Sequence, residues 1–132
     1  MARNILVVED DRNISDLIRM YLEKEGFEVR SAYDGGKAIE EYDKQAPDMV
    51  LLDIMLPGMD GFSLCETIRH GDPYIGIIMA SAKGQESDKI RGLSIGADDY
   101  ITKPFSATYL QARVENLLMQ RKKPVSYTHL RA

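Results

Sequence analysis

The sequence predicts an α/β domain built on a doubly wound parallel sheet, and three observations carry that expectation. Strand-like and helix-like stretches alternate five times along the chain. Buried strands joined by helices imply right-handed crossovers, with helices on both faces of the sheet. The central run Met49-Val-Leu-Leu52 is apolar without alternation, as a strand buried on both faces requires. Polar residues then recur at strand ends: Glu9 and Asp10, Asp53, Ser81 and Lys103. Open sheets of this kind bind ligands outside the carboxyl ends of their strands.

Each element has its own signal. Asn4–Val8 is a β-branched and aliphatic run closing on Glu9-Asp10-Asp11. Ile14, Leu17, Ile18, Tyr21 and Leu22 share a helical face, and Gly26 stops that helix. Phe27–Ala32 reads as the second strand. Asp34 caps a helix carrying Ala38, Ile39 and Tyr42, which ends at Pro47. After the Asp53 strand, Pro57-Gly58 and Asp60-Gly61 mark a turn and a helix start, with the helix running to about Arg69. Ile75–Ala80 gives the fourth strand, whose start Gly76 would loosen. A weak, glycine-interrupted helix covers roughly Glu86–Ile95. Asp99–Thr102 is a short fifth strand ending on Lys103-Pro104. Ser106 caps the last helix, whose face carries Leu110, Val114, Leu117 and Leu118. Residues 1–121 form one domain. Residues 122–132 begin as a basic linker and end in Val125–Ala132, which has no periodicity and reads as non-native adaptor sequence or a frayed terminus.

Composition narrows the function classes. At 132 residues there is room for one core, and 44% hydrophobic with 29% charged residues is ordinary globular composition. A net charge of −4 and a pI near 5.2 argue against direct nucleic-acid binding by this segment. The lone Cys65 excludes an internal disulfide framework and reads as a core thiol. The start leaves no room for a signal peptide and no apolar run reaches membrane-spanning length, so a cytoplasmic location is expected.

The strand ends carry the chemistry. In a parallel sheet they lie on one edge, with neighbouring strands ~5 Å apart. Glu9, Asp10 and Asp53 gathered there would repel one another unless a cation sits between them. An all-oxygen set without His or Cys favours a hard ion such as Mg²⁺. Lys103 adds positive charge and Ser81 a hydroxyl, a combination suited to a phosphoryl group. Asp53 is the candidate acceptor, because an aspartate can form an acyl phosphate. Taken singly, each residue has a plainer reading: Asp10 as a helix cap, Ser81 as a turn residue, Lys103 as a solvated charge.

The motifs Ile5-Leu-Val-Val-Glu-Asp-Asp11, Leu52-Asp-Ile-Met-Leu-Pro-Gly-Met-Asp-Gly61 and Gly96-Ala-Asp-Asp-Tyr-Ile-Thr-Lys-Pro-Phe105 together resemble the receiver domain of bacterial two-component response regulators. The resemblance spans about residues 3–121 and implies the flavodoxin-like strand order 2-1-3-4-5, for which a receiver is a standard example. It implies that Asp53 accepts phosphate from a sensor histidine kinase. Asp10, Asp53 and the Met55 backbone carbonyl would ligate Mg²⁺, with Glu9 acting through water. Lys103 would pair with the phosphoryl oxygens, and its bond to Pro104 would be cis. Ser81 would move to the phosphoryl group while Tyr100 swings inward, reshaping the face of the fourth helix, fifth strand and fifth helix. Met55 and Lys83 would flank the path of attacking water. Tyr100 could equally be plain packing.

The Asp-Asp-Tyr-Ile-Thr-Lys-Pro-Phe-Ser ending most resembles the OmpR/PhoB transcription-factor class, whose activated receivers form homodimers through that face. Lys89, Arg91, Asp98, Asp99 and Arg113 match the charge pattern, whereas Tyr109 stands where an acid is usual and Glu115 where a base is common. Members of the class continue into a winged-helix DNA-binding domain, so DNA would be reached only through that domain. A stand-alone CheY-like receiver is the alternative. No enzyme is expected beyond self-phosphorylation from small donors and slow self-dephosphorylation. A haloacid-dehalogenase-type phosphatase would carry a second acid where Met55 stands. A flavodoxin-type nucleotide site would need a hydroxyl- and glycine-rich loop where Glu9-Asp10-Asp11 stands.

Overall fold

The structure is a computed structural model that describes residues 3–82 and 85–120. Lys83, the residue expected beside the water path, and the basic linker and tail from Arg121 onward lie outside the described residues. In chain order the elements are β1 (Asn4–Val8), α1 (Arg12–Glu23), β2 (Glu28–Ala32), α2 (Gly35–Lys44), β3 (Met49–Asp53), α3 (Gly61–Gly71), β4 (Gly76–Ser81), α4 (Glu86–Ser94), β5 (Asp99–Thr102) and α5 (Ala107–Gln120). All pairings in the sheet are parallel, in the order β2-β1-β3-β4-β5.

Alternation along each central strand splits the core into two layers. Leu6, Val8, Val50, Leu52, Ile77 and Met79 pack with Ala38 of α2 and Leu64, Cys65 and Ile68 of α3. Ile5, Val7, Met49, Leu51, Ile78 and Ala80 face the other way, onto Ile18 and Leu22 of α1 and Leu110, Val114, Leu117 and Leu118 of α5. Burial pushes the Cys65 thiol up to about 11, so it stays protonated as a core side chain.

Several boundaries differ from the sequence reading, each for a local reason. The second strand starts at Glu28, because the Phe27 amide bonds back to the Leu22 carbonyl and closes the end of α1 around Gly26, whose φ is 91°. The third helix continues past Arg69 to Gly71. Asp72 then ends it, its side chain accepting from the Tyr74 and Ile75 amides at 3.0 and 3.2 Å. The fourth helix stops at Ser94, ahead of the glycine turn at Gly96. The fourth strand runs from Gly76 to Ser81, one residue later than read. Gly76 is a place of close approach: a Cβ there would sit 3.1 Å from both Leu117 Cδ2 and Met49 Cγ. Leu17, read as part of the core face of α1, is 43% exposed.

Candidate functional site

The strand register assembles the site. Val8 pairs with Leu52, so Glu9 and Asp10 follow β1 beside Asp53 at the end of β3. Here, between β1 and β3, the strand order reverses, which is the ligand-binding position of an open α/β sheet. Asp53 in turn pairs with Ala80, and the Lys103 amide donates to the Ser81 carbonyl at 2.7 Å. Each polar residue singled out in the sequence therefore reaches the same edge.

Two local devices fix the loops. Asp11 caps α1, its carboxylate accepting from the Asn13 and Ile14 amides at 2.9 and 3.2 Å. The cap is thus Asp11, and Asp10 is left exposed at the site, without the capping role it could have had. Asp60 caps α3 through the Ser63 amide at 2.8 Å. Gly61 then brings the helix start directly onto β3: its amide donates to the Ile54 carbonyl at 2.6 Å, and a Cβ would come within 2.3 Å of the Asp53 carbonyl oxygen. The Asp60-Gly61 signal was visible in the sequence, but the close approach that demands glycine was not.

Asp53 is 7% exposed. Its Oδ1 accepts from the Met55 amide at 3.2 Å and its Oδ2 faces Lys103 Nζ at 3.3 Å. The Met55 side chain is exposed. Lys103 also bonds Glu9 Oε1, while Glu9 Oε2 accepts from the Asp11 amide at 3.1 Å. Glu9 is 3% exposed, and burial pushes its carboxyl up to about 7; Asp53 reinforces the shift, while Lys103 and the Asp11 amide oppose it. Burial would by itself depress the Lys103 ammonium, yet its pKa is raised, because the bond to Glu9 and the charges of Asp53 and Glu9 outweigh it. Three acids against one lysine leave the cluster short of positive charge. Ligand oxygens of Glu9, Asp10 and Asp53 lie within 4.8 Å of one another, an all-oxygen set that fits a hard divalent cation. The Lys103–Pro104 peptide is cis.

Ser81 is buried at the end of β4 and its hydroxyl is hydrogen-bonded to that of Tyr100. Tyr100 is 5% exposed, and burial raises its pKa. Tyr100 is thus packed inward, against β4 and α4. Gly92 makes room for it, since a Cβ on α4 there would lie 3.0 Å from Met79 Sδ and 3.4 Å from Tyr100 Cδ2.

The other charged residues expected on this face are mostly engaged within the chain. Asp99 receives Arg113 in a bidentate pair. Asp98 Oδ2 accepts from Arg69 Nη2 at 2.9 Å and from the Ile77 amide at 2.8 Å. Arg91 stacks over Phe62, 4.2 Å from the ring centroid. Lys89 is half-buried on α4.

The family model for the response regulator receiver domain matches residues 5–115. The chain belongs to this family. The receiver fold is found closely in solved relatives. A receiver domain protein (CheY-like) from Methanospirillum hungatei superposes with a TM-score of 0.89 at 31% identity, over 93% of this chain and 98% of that one. The receiver domain of Francisella response regulator 1452 gives 0.85 at 35% identity, over 91% and 99%. NtrX from Brucella abortus gives 0.91 at 36% identity, over 98% of this receiver but 30% of the NtrX chain. Among the described residues, no helix of the receiver is long and apolar enough to cross a membrane.

Proposed function

We propose that this receiver takes a phosphoryl group onto Asp53 from a sensor histidine kinase, with Mg²⁺ held by Asp10, Asp53 and the Met55 backbone carbonyl and by Glu9 through water. The observation that carries the reading is the surrounding of Asp53: a buried carboxylate 3.3 Å from the Lys103 ammonium, with the oxygens of two further acids close by. The cation supplies charge neutralisation for an incoming phosphoryl group. Lys103 faces the Asp53 oxygen and is the residue to receive the new anionic oxygens. Ser81, one strand away and bonded to Tyr100, links that anion to α4, β5 and α5. The protein is a phosphorylated switch in the cytoplasm rather than a turnover enzyme.

The output we assign is control of a winged-helix DNA-binding domain in a longer transcription factor of OmpR/PhoB type, through a phosphorylation-dependent homodimer. The aspartate-rich ending around Tyr100 supports the class, and the NtrX relative, in which the matched part is 30% of the chain, supports a receiver joined to further domains. A stand-alone receiver acting by protein contact is favoured instead by the M. hungatei relative, matched over 98% of its length. Incubation with acetyl phosphate and Mg²⁺ followed by intact mass tests the phosphoacceptor reading. One added phosphate is expected in the wild type and none in Asp53→Asn; equal labelling of the variant would overturn it.

A further inference from the structure

Beside the acid cluster lies an open cleft of about 570 Å³, walled by Ile54, Met55, Leu56, Pro57 and Phe62 and carrying charged side chains from Asp10, Asp60 and Arg91. Two of these charges have other duties or other partners. Asp60 Oδ1 is committed to the cap of α3 at 2.8 Å, and Asp10 belongs to the acid cluster. Arg91 is different. It sits on α4, and its guanidinium is held over the Phe62 ring at 4.2 Å. Stacking fixes the plane of a guanidinium while leaving its N–H edge open to an anion. The cleft thus combines an apolar lining, one oriented cation, and continuity with the residues around Asp53.

We propose that this cleft is the subsite for the departing acyl group of a small acyl phosphate, and that Arg91 anchors the carboxylate as it leaves. The inference rests on the phosphoacceptor reading of Asp53. In the step, an Asp53 carboxylate oxygen bonds to phosphorus while the bond between phosphorus and the bridging acyl oxygen breaks. The electron pair of that bond leaves on the acyl oxygen as a carboxylate anion. Negative charge therefore grows on the leaving group during the reaction, and a cation at that position stabilises the transition state more than the ground state. With phosphoramidate, the bond from phosphorus to nitrogen breaks and the group departs as neutral ammonia. Arg91 has nothing to stabilise there. The apolar walls suit the carbon portion of an acyl group.

The test compares initial phosphorylation rates from acetyl phosphate and from phosphoramidate, at equal subsaturating concentrations with Mg²⁺. Wild type, Arg91→Gln and Lys24→Gln are compared, the last removing a charge from the exposed C-cap of α1. Arg91→Gln is expected to lower the acetyl phosphate rate about fivefold, a value discounted from a buried charged contact because Arg91 is exposed. The phosphoramidate rate should change less than about twofold, and Lys24→Gln should leave the donor ratio unaltered. Calorimetric titration of Mg²⁺ should give the same affinity for Arg91→Gln and wild type. An unchanged donor ratio in Arg91→Gln, or a fall in rate matched by a fall in Mg²⁺ affinity, would overturn the anchor. Absence of labelling of the wild type by either donor would instead overturn the phosphoacceptor reading beneath it.

Discussion

Gly61 lies against the backbone of Asp53 so closely that a methyl group on it would sit 2.3 Å from the Asp53 carbonyl oxygen. The obstruction is backbone, which cannot rotate away as a side chain end can. Gly61→Ala should therefore cost on the order of 2–3 kcal/mol of stability, through overpacking of the helix start. Urea unfolding measures it. A loss below about 0.5 kcal/mol would mean that the Asp53 loop yields easily and that α3 does not fix the site.

Charge repulsion between Glu9 and Asp53 gives a prediction of opposite sign. Asp53 raises the Glu9 pKa, so the metal-free protein carries an unfavourable acid pair. Asp53→Asn should melt higher than wild type in chelator, by a few degrees. Added Mg²⁺ should stabilise wild type more than the variant and narrow the gap. A lower melting temperature for the variant in chelator would show that the Lys103 bond to Asp53 outweighs the repulsion.

The pH dependence follows from Glu9 in the same metal-free state. Its folded pKa, about 7, lies above the unfolded value of 4.5, so the folded protein holds the proton more tightly. The stabilisation is fully present below pH 4.5 and is lost as pH rises through 7, on the order of 2–3 kcal/mol for a group this buried. Unfolding curves in chelator should show stability falling from pH 5 to pH 8, and Glu9→Gln should flatten that slope. A wild-type slope no steeper than that of Glu9→Gln would contradict it.

Arg69 holds the back of the α4–β5 connection. Its guanidinium donates to the Gly96, Pro73 and Ile75 carbonyls at 2.9, 3.0 and 2.7 Å, and to Asp98 at 2.9 Å. Arg69→Met should destabilise by about 3 kcal/mol, since it leaves several carbonyl acceptors without their donor and removes the cation that faces the Asp98 carboxylate. Asp98→Asn, which keeps the acceptor for the Ile77 amide, should cost less. Equal losses would place the effect in Asp98 rather than in the carbonyl contacts of Arg69.

What the sequence made legible is what depends on pattern and spacing. The strand–helix alternation, the buried runs and the polar residues after β1, β3, β4 and β5 all lie where the residues implied, because strand ends in a parallel sheet share one edge. Contacts set by tertiary geometry were not legible. Asp99 and Arg113 are 14 positions apart and pair within the chain; Asp98 and Arg69 are 29 apart and do the same. Spacing offers no signal for either pairing, so both acids read as charges of a dimer face rather than as partners within the chain. Gly76 and Gly92 looked like weak points in a strand and a helix, yet each is small because Leu117, Met49, Met79 or Tyr100 fills the place of its side chain. The choice of Asp11 over Asp10 as the cap of α1 hangs on one residue of phase, below what periodicity resolves.

If the proposed function holds, Asp53 itself carries the phosphoryl group. Borohydride reduction of protein treated with acetyl phosphate and Mg²⁺ converts an aspartyl phosphate to homoserine, which peptide mass mapping locates. Homoserine is expected at residue 53 and at neither Asp10 nor Asp11. Homoserine at another aspartate, with residue 53 unmodified, would contradict it.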